Sequence, residues 1–372
     1  MSEVTKSNET WSDLCQHGNI SSSCPICKNP GKNTREFFSK SGELELDPAT
    51  DPEFNIEKPE FKELDPGIKR ILDKIDFELL RKIYSEIATK SGLDVNQINF
   101  IDKDQIASKS GEGEAVYNLV YNKLAFNPEL YKALVLNEGA VEEKGGAEAI
   151  ILQMLCHELV HATNRQVIIG TREFKQDKKG EAQLGYHHAR VIEDSRGDRG
   201  QENSYRAFNE GLTEMLANRI AVRYLSSRNL ADPEMDKWAI GVLQAPPDTK
   251  SYWFKANKPY TLYRALAEQI VKRLSQETGL DEEMVFNAVV RSQYEAQSLD
   301  DPELKGLLVE IFGKDFMQDL RRAEDTRIGE MLSRLKTQSF FFESEKLAAS
   351  KPKLSLKQKI LNLISKQGKK AA

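Results

Sequence analysis

"ILQMLCHELVHATN", residues 151–164, decides how the rest of the chain is read. Its apolar residues read as one buried helix, yet His157, Glu158 and His161 stand in the middle of it, in a chain with five histidines. An α-helix turns once every 3.6 residues, so side chains four apart leave the same face. His157 and His161 can therefore aim two imidazoles at one ion. Glu158 is offset by one position, where a carboxylate meets water on that ion rather than the ion itself. This is the physical content of the H-E-x-x-H pattern: two zinc ligands and a general base. Water on Zn²⁺ becomes acidic enough to deprotonate near neutral pH, and the glutamate takes its proton. Cys156 leaves the helix about a hundred degrees of rotation from His157 and reads as a small buried hydrophobe.

Catalytic zinc has three protein ligands and keeps one position open. A third histidine six residues after the second, following a glycine, is one solution, but those positions hold Val167 and Asn164. A glutamate from a later helix is another, and "FNEGLTEMLAN", residues 208–218, supplies it. Glu210 and Glu214 are four apart and share a face. Glu210 is placed to ligate, and Glu214 to accept a hydrogen bond from a ligand histidine, which fixes the ring and its tautomer. Asn209 reads as support for the local backbone or for a substrate. The blander reading, a solvated acidic helix face, loses weight because this is the first strong helix after the histidine pair.

"HELVH" at 157–161 followed by "NEGLTE" at 209–214 resembles the gluzincin branch of the zincin-like metallopeptidases. The resemblance implies zinc on His157, His161 and Glu210, Glu158 as general base, and Glu214 steadying a ligand histidine. It also covers an order of elements (edge strand, metal helix, glutamate helix) over roughly residues 95–280. In such enzymes an upper strand lends backbone hydrogen bonds to bound peptide, and "AVYNLVYNKLAF", residues 115–126, is the candidate. The oxyanion needs a donor besides the metal. Tyr260 and Tyr263 are the candidate catalytic residues for that role, with His187, His188 and Tyr224 as further options.

The implied fold is α+β: a small mixed sheet with an edge strand and a mainly helical remainder. Residues 1–45 read as a polar, disordered arm, 46–64 as a linker, 65–335 as the metallopeptidase domain and 336–372 as a basic amphipathic tail. Within the domain, residues 66–92 carry apolar side chains at helical spacing up to a stop at Gly92. Strands are expected at 98–102 and 115–126, with Val116, Leu119 or Val120, and Leu124 as apolar positions, and 170–203 as a charged surface excursion or flap.

Three of the four cysteines fall in the arm. Cys15, His17, Cys24 and Cys27, in a zinc-knuckle-like segment at 15–27, supply the four nitrogen and sulfur ligands of a second, structural zinc site. Metal binding would supply the folding free energy of so polar a segment. A protein or a nucleic acid is the partner expected for it. In the tail, Leu356, Ile360, Leu363 and Ile364 line one side among lysines, a pattern that suits an anionic membrane surface or another protein.

A formal net charge of −5 argues against nucleic-acid binding by bulk charge. With no signal pattern and no membrane-spanning apolar run, the expected compartment is the cytoplasm, with signal-independent export as the other route. The expected substrate is a peptide or protein. The competing reading is a non-catalytic zinc-binding scaffold, or a regulatory protein that binds nucleic acid or protein and carries an inactive site.

Overall fold

The computed structural model describes residues 35–38, 60–93, 95, 98–109, 115–118, 121–130, 132, 146–164, 166–169, 181–193, 199–228, 240, 243, 258–295, 299–300, 302–323 and 325–336. The cysteine–histidine segment at 15–27, most of the expected arm and linker, and the tail from 337 lie outside these residues. The described helices are α1 (Pro66–Leu72), α2 (Phe77–Lys90), α3 (Gly146–Thr163), α4 (Arg206–Ser227) and α5 (Lys258–Thr278). They continue with α6 (Glu282–Tyr294), α7 (Pro302–Phe312), α8 (Lys314–Arg321) and α9 (Asp325–Lys336). The strands are β1 (Arg35–Phe38), β2 (Ile106–Ser108), β3 (Ala115–Asn118), β4 (Lys123–Phe126), β5 (Gln166–Ile169), β6 (Glu181–Leu184), β7 (His187–Glu193) and β8 (Arg199–Ser204). The fold is α+β, with two small sheets set among helices.

Helix α3 lies at the centre because apolar residues are spread around its circumference, and such a helix is stable only when surrounded. Every residue from Ala149 to Asn164 is buried. It packs against α4, α1 and strand β3, and α4 packs in turn against α5. The close approach of α4 and α5 depends on Gly211, where an added Cβ would stand 2.1 Å from the Tyr263 carbonyl oxygen. Among the described residues no helix is long and apolar enough to cross a membrane.

The segment 66–92 forms two helices rather than one. Asp65 starts α1, its Oδ1 accepting from the Gly67 N–H at 2.8 Å with Pro66 in the first turn. Asp76 starts α2 by accepting from the Leu79 N–H at 3.0 Å. The expected strand at 98–102 does not form. Ile101 is buried, Phe100 packs edge-on against Tyr84 at 5.6 Å, and Asp102 begins a short 3₁₀ turn at Lys103–Gln105. The strand follows that turn, as β2.

"AVYNLVYNKLAF" is a hairpin rather than one strand. β3 pairs antiparallel with β4, and β4 pairs parallel with β2, so β3 is an edge of this mixed sheet. Tyr117 faces Leu124 across the pair and both are buried, which turns Val116 outward to 41% exposure. The expected inward position at Val116 is thus off by one residue, the slip that inverts a strand's two faces. Asn122, at φ 50, supplies the left-handed residue of the hairpin turn.

The expected excursion at 170–203 contains three paired strands. β5, β6, β7 and β8 form successive antiparallel neighbours, and β1 adds parallel to β5. The β6–β7 turn is two residues, Gly185 and Tyr186. Gly185 has φ +58, and a Cβ there would lie 2.5 Å from Asn209 Oδ1 on α4. The glycine therefore lets this sheet close onto the glutamate helix.

Candidate metal centre

The two histidines are one turn apart on α3, and the glutamates are one turn apart on the facing side of α4. His157 Nε2 lies 3.2 Å from Glu210 Oε2, His161 Nε2 lies 3.3 Å from the same oxygen, and the two Nε2 atoms are 3.2 Å apart. Three ligand atoms around tetrahedral zinc at about 2.0–2.1 Å would be separated by about 3.3–3.4 Å. The triangle of side-chain atoms thus has the size a tetrahedral ion requires. His157, His161 and Glu210 are all buried and form the one metal-competent group of such residues among those described.

What fills the middle of that triangle must be positive. Burial disfavours charge on His157, but hydrogen bonds to Glu210 and Glu214 outweigh it and push the imidazole up to about 10. Burial likewise opposes ionisation of Glu210, yet the two histidines hold its carboxyl well below the usual range. A proton or a metal ion satisfies the same arrangement. The chemistry of the donor set, two imidazoles and a carboxylate with no thiolate, fits zinc.

The histidines are braced differently. His157 Nδ1–H donates to Glu214 Oε2 at 3.0 Å, which leaves Nε2 as the nitrogen facing Glu210. Glu214 is steadied in turn by the Gln153 amide at 2.7 Å. Gln153 stands one turn before His157 on the same helix face, so its place beside the histidines is also written in the spacing. His161 Nδ1 is buried without a hydrogen-bond partner among the described residues. Its backbone is held instead, because Gln166 Nε2 donates to the carbonyls of His161 and Ala162 at the end of α3.

Glu158 sits at the boundary of helix and sheet. The backbone N–H of Tyr117, on the free side of β3, donates to Glu158 Oε2 at 2.6 Å. The Tyr117 hydroxyl is fixed by Asn122 at 2.7 Å and Gln166 at 3.1 Å. Asn99 ties the hairpin to the metal helix, donating to Asn122 at 2.7 Å and to the Ala162 carbonyl at 3.1 Å. Edge strand and carboxylate are therefore positioned as one unit.

Of the tyrosine candidates, Tyr260 stands nearest the histidines. Its ring meets the His157 ring edge-on at 5.1 Å. Burial, then the neighbouring carboxylates of Glu210 and Glu158, push its phenol far above the ordinary range, so it is a donor and not a base. Tyr263 is one ring further back, 5.9 Å from Tyr260, and buried in the core. Tyr224 is not brought to the centre: it lies fourteen residues along α4 from Glu210, about 21 Å of helix, and its hydroxyl accepts from the Asp76 N–H. His187 is fixed by Asn203 Oδ1 at 2.9 Å, and it lies close enough to Glu210 and His161 to feel their charges. Asn209 holds backbone: its Oδ1 accepts from the Tyr186 N–H at 2.9 Å, and Gln293 donates to its carbonyl at 3.2 Å. Cys156 is fully buried, which pushes its thiol far up and leaves it inert.

No family model matches the chain, and no curated protein or solved structure matches it either.

Proposed function

We propose that the chain is a metal-dependent hydrolase. More particularly, we read it as a zinc peptidase of the gluzincin kind that the H-E-x-x-H and N-E-G-x-x-E segments resemble. The observation that carries this reading is the convergence of His157 Nε2, His161 Nε2 and Glu210 Oε2 within 3.3 Å of one another, with the Glu158 carboxylate beside them on the free edge of β3.

A bound zinc ion would polarise a carbonyl and make a coordinated water acidic near neutral pH. The rest falls to the chain. The free edge of β3 offers backbone groups to an extended peptide, which orients its carbonyl toward the centre. Glu158 accepts the proton of the attacking water and returns it to the departing amine. The Tyr117 N–H keeps that carboxylate aimed while it carries the proton. Tyr260, held protonated, donates toward the oxygen on which negative charge develops. Glu214 and Gln153 keep the His157 ring in its ligating tautomer throughout.

Metal analysis of the purified chain, combined with cleavage of a peptide library, tests the proposal. About one zinc at His157, His161 and Glu210 is expected, lost in H157A, together with defined peptide products. E158Q should keep the zinc and lose turnover by several orders of magnitude. Retained turnover in E158Q would refute the general-base assignment. Stoichiometric zinc with no cleavage of any peptide or protein would instead favour a non-catalytic scaffold.

A further inference from the structure

One stripe of α4 carries Asn218, Glu214, Glu210 and Arg206, each a turn from the next and each about 6 Å along the axis. Its inner members brace a histidine and supply a ligand oxygen. Its last member is exposed, one turn beyond Glu210. Among the described residues the Arg206 side chain makes no hydrogen bond or ion pair, in a chain with a formal net charge of −5. The other two arginines of α4 are paired, Arg219 with Glu283 and Arg223 with Glu86. The charge of Arg206 is also felt by His187 and by Tyr260, which flank the triad.

The direction in which α4 begins is held at a cost. Tyr205, just before Arg206, has φ 58, a left-handed backbone that a tyrosine rarely adopts. It is pinned at both ends. Its N–H donates to the Arg321 carbonyl at 2.9 Å and its hydroxyl to Asp300 Oδ1 at 3.0 Å, with Lys305 on the same oxygen at 2.8 Å. This anchoring fixes the start of α4, and with it the stripe on which Arg206 stands above Glu210.

We propose that Arg206 is a specificity-determining residue that binds a substrate carboxylate beside the metal centre. The proposal rests on the peptidase reading of the same site. The carboxylate is either the free C-terminus of a peptide or an Asp or Glu side chain within it. Guanidinium matches a carboxylate with two parallel N–H donors, a fit that lysine cannot reproduce.

The test uses the zinc-loaded full chain carrying E158Q, so that binding is measured without turnover. Fluorescently labelled peptides are compared by anisotropy in matched pairs: free acid against C-terminal amide, and internal Asp or Glu against Asn or Gln. One of the two pairs should show about tenfold or greater preference for the carboxylate, the ordinary size of a charge-assisted hydrogen bond, and that pair identifies its source. Adding R206A should abolish the preference, R206K should retain part of it, and raised salt should weaken it. Thermal melts of each variant establish that the fold is intact. Equal binding within both pairs, no binding of any peptide, or a preference unchanged in R206A would overturn the proposal. Library cleavage by the wild-type chain separates the two readings. Cleavage without carboxylate preference removes the role of Arg206 and keeps the peptidase. Arg206-dependent binding without any cleavage does the reverse.

Discussion

His157 is the residue whose protonation most directly reports the state of the centre. Folding without metal lifts its pKa from 6.5 to about 10. A raised pKa means that the folded, metal-free protein holds this proton more tightly than the unfolded chain does. The resulting stabilisation is complete below pH 6.5 and fades as pH rises through about 10. Urea unfolding of chelator-treated protein should therefore show a midpoint that declines across this window, with the decline absent in H157A. A zinc ion bound by this imidazole, as proposed, would displace the same proton, so zinc affinity should climb about tenfold per pH unit between roughly pH 7 and 8.5. Competition titration against a chromophoric chelator would measure it. Glu214 is the other informative side chain, since its oxygen receives both His157 Nδ1–H and the Gln153 amide. E214A should weaken zinc binding by about 10–100-fold, and a change below twofold would mean that the His157 ring is held by packing alone.

At the scale of elements, the centre exists because two pairs of segments approach unusually closely. Gly211 lets α5 pack onto α4 within the space a methyl group would need, and α5 carries Tyr260 to the His157 ring. G211A would set its Cβ 2.1 Å from a backbone carbonyl that has no rotamer to move. We expect destabilisation of about 3 kcal/mol, at or above the upper end for an overpacked core, read as a fall in the urea midpoint. The β6–β7 turn makes the second close approach, with Gly185 against Asn209 beside the ligand Glu210. The β3–β4 hairpin is the third element of the centre. Its edge position is what leaves the Tyr117 N–H free to hold Glu158.

Across the described residues, a central helix is wrapped by α4, α1 and the small mixed sheet, and the candidate ligands come from α3 and α4 together. An ion bound to both helices favours only the folded state, so it is linked to global stability. At a free zinc concentration about a hundredfold above Kd the gain is about 2.7 kcal/mol. Calorimetry should accordingly show a melting temperature that rises with free zinc and falls on chelation, and H161A should be insensitive to both. A melting temperature indifferent to zinc in the wild type would mean that the triad does not bind it.

The candidate ligand pairs were legible in the residues themselves, because helical periodicity is local: backbone hydrogen bonds every 3.6 residues place His157 with His161, and Glu210 with Glu214, whatever surrounds them. Helix α3 was legible for the same reason, and the α+β class followed from the resemblance that the two helices carry. What needed the tertiary structure was every partnership between segments. The choice between Tyr260 and Tyr263 depends on which side of α5 a glycine allows to approach. The role of Gln153 needed α4 opposite it, and the grip on Glu158 needed a strand whose register one residue would reverse. Spacing along a chain constrains faces, and only packing decides which faces meet.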